Sequence, residues 1–196
     1  YIKYWRALRQ FFRWAVEEKI IGDDPSAVAA PPKPKGLKRR SPDPFTTEEL
    51  TRLFASPLYG GHKSSKQVKV PGDCHRRGGH WWSGVLMLYT GLRAGELSQL
   101  TPQDFYFGAD GPFMQVTDEG EVDGRSKHVK SASSVRTVPL HSDLLRLGLA
   151  EWVTGAARRS PKDRLFRVFA LGPKRFSAGI TRFWGEYLKQ IELWKP

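Results

Sequence analysis

Arg93 and Glu96 stand three residues apart in Leu88-Tyr89-Thr90-Gly91-Leu92-Arg93-Ala94-Gly95-Glu96-Leu97. That spacing places both on one face of a helix. Gly91 breaks the chain between two helical stretches, so Arg93 falls at the start of the second, where backbone amides and the helix dipole favour an anion. A guanidinium can grip two phosphate oxygens at once, and Glu96 can hold it in place or bind a neighbouring cation. The same two residues would also serve as a buried Arg–Glu pair between helices. Lys130 opens Lys130-Ser131-Ala132-Ser133-Ser134-Val135-Arg136-Thr137-Val138-Pro139-Leu140, a Ser-rich turn running into an alternating strand. A lysine on such a hairpin loop can enter a site late and give up a proton, or remain one more solvated charge.

Other chemistry-bearing residues carry less. Asp73-Cys74-His75 with His62 and His80 suggests zinc, but a structural site wants paired Cys or His and the chain has one cysteine. No metal and no cofactor is therefore expected. None of the five histidines has an arginine three residues later. Tyr187, in Phe183-Trp184-x-x-Tyr187-Leu188, reads as core packing, as does Trp81-Trp82 at the head of an apolar helix. His141 reads as a cap or flank of the helix after it.

Charge narrows the partner. The chain has 196 residues, 32 Lys+Arg against 20 Asp+Glu, and a net charge of +12. Segments 33–40, 62–80, 124–136 and 158–175 hold 21 of the basic residues and only two acids, Asp73 and Asp163. Loops that bring such charge to one surface release counterions from a phosphate backbone, so double-stranded DNA is the expected partner. The candidate DNA contacts are Lys33, Lys35, Lys38, Arg39 and Arg40 in a proline-rich strap, Arg76 and Arg77 before the apolar helix, and Arg125, Lys127 and Arg136 about the hairpin. A soluble basic protein with solvated charge runs is the plainer alternative. Single Cys74 excludes a disulfide framework, no apolar run reaches the roughly 20 residues a bilayer needs, and Lys3, Arg6 and Arg9 interrupt any leader-like stretch. Hydrophobic content of 39% is too rich for a disordered chain.

The elements that must position these residues follow from periodicity. Residues 2–20 read as an amphipathic helix stopped at Gly22, and 30–44, with five prolines, as a basic linker. Thr46-Thr47-Glu48-Glu49 is a capping box before a short helix. Residues 56–80 read as an irregular functional stretch or an insertion. Helices are expected at 81–90, at about 93–100, at 142–153 and at 176–191. Short strands are expected at 105–107, 113–117 and 135–140, with a basic hairpin tip at 119–134. The fold class is mainly α with a small antiparallel β-sheet (α+β).

Taken together, these stretches resemble the tyrosine recombinase (phage integrase) family. Thr90-Gly91-Leu92-Arg93-x-x-Glu96-Leu97 matches its first arginine box, and Lys130 followed by Arg136-Thr137-Val138-Pro139-Leu140 matches its lysine hairpin. Phe45-Thr46-x-x-Glu49-Leu50 looks like the start of its catalytic domain. Residues 4–28, with Phe11-Phe12-x-Trp14-Ala15 and Asp24-Pro25, look like the last helix of its core-binding domain. The resemblance covers most of 1–30 and 43–145. It implies a helical core-binding (SAM-like) end at 1–29, a linker at 30–44 and a partial catalytic domain at 45–196. It also implies strand cleavage and rejoining through a 3′-phosphotyrosyl intermediate, without metal or ATP. Arg93 would clamp the phosphate, Lys130 would protonate the leaving oxygen, and Glu96 would support the site. The complete protein would assemble as a tetramer on DNA in a bacterial or phage cytoplasm, at the nucleoid. The family's His-x-x-Arg box and nucleophilic tyrosine have no match here, so the chain is expected to be a fragment or degenerate copy that does not cleave DNA alone. A non-catalytic DNA-binding module and a type IB topoisomerase relative are the other readings.

Overall fold

Thr46 and Glu49 cap each other at the head of a helix in the computed structural model. The Glu49 amide donates to Thr46 Oγ1 at 3.2 Å and the Thr46 amide to Glu49 Oε2 at 2.8 Å. The structure describes residues 2–29, 43–109, 111–173 and 175–195, and the chain divides into two units, Tyr1–Asp43 and Pro44–Pro196. The first unit contains helix α1 (Ile2–Glu17), three residues shorter than expected. Ala15 is buried, whereas Leu8, Phe11 and Trp14 are about half exposed. Ser26 then closes a turn on Asp24, its amide donating to the carboxylate at 2.8 Å.

The second unit is α+β. Helix α2 (Thr47–Ala55) follows the capping box, and a single turn, α3 (Pro57–Gly60), comes next. The stretch expected to be irregular is instead a β-hairpin, β1 (His62–Ser64) against β2 (Gln67–Pro71), antiparallel. Its charged residues hid the alternation, since only His62 and Val68 are buried on it. Helix α4 (Gly79–Thr90) is the apolar one and buries Trp81, Trp82, Val85 and Leu86. Gly91 ends it at φ 63°, a left-handed conformation glycine adopts without a Cβ penalty, and its amide donates to Met87 O.

Helix α5 (Ala94–Gln99) follows at once. Strands β3 (Phe105–Tyr106), β4 (Phe113–Val116) and β7 (Arg136–Pro139) form one antiparallel sheet with β4 in the middle. Its register pairs Phe105 with Met114 and Met114 with Val138. Between β4 and β7 lies a small hairpin, β5 (Glu121–Val122) against β6 (Arg125–Ser126).

The helix expected at 142–153 is two, α6 (Ser142–Arg146) and α7 (Leu149–Arg159), because Gly148 at φ 90° turns the chain between them. His141 Nδ1 accepts from the Asp143 amide and so caps α6. Helix α8 (Ala178–Gln190) completes the unit. Trp82, Leu86, Leu97, Met114, Leu144, Phe166, Ile180 and Tyr187 form the centre of the core. Each large side chain buried there contributes about 1.5–3 kcal/mol relative to exposure. At the far end, Lys195 Nζ donates to Glu49 Oε2 at 2.7 Å and to Pro44 O at 2.9 Å. Among the described residues no helix is long and apolar enough to cross a membrane.

Candidate functional site

The left-handed turn at Gly91 delivers Arg93 to the N-cap of α5, with φ −70° and ψ 147°. Glu96 then points back. Its Oε2 accepts from the Arg93 amide at 3.0 Å and its Oε1 from Arg93 Nη1 at 2.7 Å. Arg136, from the start of β7, donates Nη2 to Glu96 Oε2 at 2.9 Å. The Glu96 side chain is 4% exposed, the Arg93 side chain 57%. Burial pulls the Glu96 carboxyl upward, but donors from Arg136 and Arg93 outweigh it and hold the group below the usual carboxylate range. Helix α5 has six residues, and Glu96 takes the amide of its N-cap residue, Arg93.

The serine run ties the hairpin to this arginine. Ser134 is buried, its Oγ accepts from Arg93 Nη1 at 3.3 Å, and its carbonyl accepts from Arg136 Nη1 at 2.9 Å. Gln99, on α5, binds the backbone of His128 through both atoms of its amide. Its Nε2 donates to His128 O at 3.0 Å, and its Oε1 accepts from the His128 amide at 2.7 Å. Lys130, two residues on, is exposed. Arg93 and Lys130 line one cleft of about 360 Å³, together with Arg125, Arg175, Phe176 and Thr181. Arg125 is fixed in it by the Phe176 ring, 4.2 Å away, and by Gly172 O at 2.9 Å. Among the described residues, four cations thus line a cleft whose one carboxylate, Glu96, already accepts three hydrogen bonds. Such a site concentrates anions.

Sequence reasoning missed Gln99, Ser134, Arg175 and Thr181. Only the basic segment 158–175 hinted at Arg175. Gln99 and Ser134 act on partners 29 and 41 residues away, and Thr181 only lines the cleft, so no spacing rule marks them.

The remaining expected contacts fall elsewhere. Lys33, Lys35, Lys38, Arg39 and Arg40 lie outside the described residues. Lys127 was expected on DNA, and this is corrected. Its ammonium is buried and donates to Asp104 Oδ1 at 2.7 Å and Oδ2 at 2.8 Å, while Asp104 also accepts from the Thr101 amide at 2.7 Å. Arg164 is likewise internal, paired with Asp123 at 2.7 Å, so the basic segments overstate the surface charge. Arg136 is spent on Glu96 and Ser134. Arg76 and Arg77 sit before the first residue of α4, whereas Arg93 follows its last. Arg77 donates to Leu147 O at 2.7 Å and lies over Trp81.

Tyr187 is in the core at 0% exposure. Its hydroxyl bonds to Ser56 Oγ at 2.6 Å and accepts from the Leu58 amide at 3.0 Å. Burial pushes its phenol up, against the partial pull of those two partners. Among the described residues no three His, Cys, Asp or Glu side chains gather as metal ligands would. No family model matches the chain, and no curated protein and no solved structure matches it.

Proposed function

We propose that the second unit binds duplex DNA through the cleft of Arg93 and Lys130, and that it carries part of a tyrosine-recombinase strand-transfer site. The observation that supports this is their shared cleft, with a buried carboxylate under Arg93 and a hairpin clamped by Gln99. An exposed guanidinium anchored by Glu96 and Ser134 is preorganised to receive a non-bridging phosphate oxygen. Lys130, exposed in the same cleft, would hand a proton to a departing 5′ oxygen. The remaining groups of the reaction, a His-x-x-Arg box and a nucleophilic tyrosine, would come from outside residues 1–196, and the complete protein would self-associate on DNA.

A binding-only reading of this chain is favoured by one observation, the burial of Tyr187. A hydroxyl enclosed by Ser56 and Leu58 cannot attack phosphorus. On this reading the chain alone binds DNA without cleaving it.

The test is duplex binding between 50 and 200 mM salt. Contact with six or more phosphates weakens affinity by about 10³ across that range. Arg93→Ala with Lys130→Ala lowers affinity and reduces the salt slope by about 2. Affinity independent of salt would sink the reading.

A further inference from the structure

A cavity of about 480 Å³ opens at the other end of α4 from Arg93. Gly78 is the N-cap of this twelve-residue helix and has no side chain with which to cap it. The first amides of α4 therefore have no intrahelical acceptor, their residues Gly79, His80 and Trp81 line the cavity, and the helix dipole adds positive potential there. A second, independent feature lies in the same wall. His62 is 2% exposed, yet neither of its ring nitrogens has a hydrogen-bond partner among the described residues. An isolated bridge to Cys74, just past the hairpin, fixes its place, since its amide donates to Cys74 O at 3.0 Å and its carbonyl accepts from the Cys74 amide at 2.9 Å. Arg76, Arg77 and Arg159 line the cavity as well, against one carboxylate, Glu151.

We propose that this cavity binds the phosphate group of a larger molecule, received by the α4 amides, the His62 ring and the arginines 76 and 159. A buried imidazole without a partner costs free energy that an anionic acceptor recovers. Arg77 has less to give, being already engaged with Leu147 O and the Trp81 ring. His80 also lines the site and is pushed down to about 4, by burial first and then by Lys69 and His62, so it enters uncharged at neutral pH. The cavity exceeds one phosphate, and Leu58, Val68 and Trp152 supply apolar wall for the rest of the molecule. A phosphate ester fits these walls, either a free small ester or one unit of a DNA backbone.

The test is an NMR titration of the full chain with inorganic phosphate at constant ionic strength. The amides of Gly79, His80 and Trp81 and the His62 ring should shift together and saturably. Arg76→Gln with Arg159→Gln, two exposed positions that leave the core intact, should weaken phosphate at least 10-fold. Arg93→Ala with Lys130→Ala should leave it unchanged, which separates this site from the DNA cleft. A second arm adds a duplex of about 20 base pairs. Displacement of phosphate from the Gly79 amide assigns the site to the DNA backbone, whereas an undisturbed Gly79 amide assigns it to a free ester. No saturable shift at the α4 amides, shifts confined to Arg93 and Lys130, or an unchanged affinity in the Arg76/Arg159 variant would each overturn the proposal.

Discussion

Gln99 holds His128 the way one strand holds another, giving a donor to its carbonyl and an acceptor to its amide. Two hydrogen bonds from one helix thus fix the backbone two residues before Lys130. Gln99→Ala should cost about 2 kcal/mol, at about 1 kcal/mol per bond. It should raise hydrogen exchange at the His128 amide by about 10-fold while leaving the Met114 amide in β4 unchanged. Equal loss of protection at both positions would mean that Gln99 supports the whole unit and not the hairpin.

Glu96 gives a pH dependence with a defined sign. Its folded carboxyl titrates below the unfolded value, so the stability it contributes is present above about pH 4.5 and is lost as pH falls through the folded value. Glu96→Gln should flatten that part of the acid limb in urea melts followed from pH 7 to 3. Glu96→Ala should cost about 2 kcal/mol at pH 7, because its partners Arg93 and Arg136 can turn to water. A variant with the full acid limb of the parent would show that other carboxylates carry it.

Lys127 and Arg93 should separate cleanly in solution. Lys127→Ala strands the buried Asp104 carboxylate and should cost about 3–5 kcal/mol of stability, while leaving the salt slope of DNA binding unaltered once the fold is confirmed by near-ultraviolet circular dichroism. Arg93→Ala should do the reverse, weakening DNA with little change in melting. A smaller salt slope for Lys127→Ala would return that lysine to the interface.

Tyr187→Phe removes a hydroxyl with two buried partners and should cost about 1–3 kcal/mol in urea denaturation. A nicked duplex offered to the parent chain should yield no covalent protein–DNA adduct. An adduct that appears with the parent and vanishes with Tyr187→Phe would require the core around Ser56 to open.

What could be read in advance follows the range of the forces involved. The capping box at Thr46–Glu49, the helix break at Gly91 and the Arg93–Glu96 pair are contacts within four residues, and the residue types alone specify them. The strand pattern at 105–106, 113–116 and 136–139 was visible because one face alternates. The hairpin at 62–71 was missed because lysines and serines occupy most of its outward positions. The fate of Lys127 depends on Asp104, 23 residues away, and that of Arg164 on Asp123, 41 residues away. A count of basic residues cannot distinguish such pairs from a solvated surface. Arg175 joined Arg93 only through the packing of α8 beside α5.

The bond from Lys195 to Glu49 and Pro44 has a topological consequence. It sets the two ends of the second unit side by side, so the order in which the chain visits its elements is not what holds them together. A short bridge from 195 to 44 would let the polypeptide be opened instead at the exposed Ser65–Lys66 turn, and every contact described for the core would survive in the permuted chain.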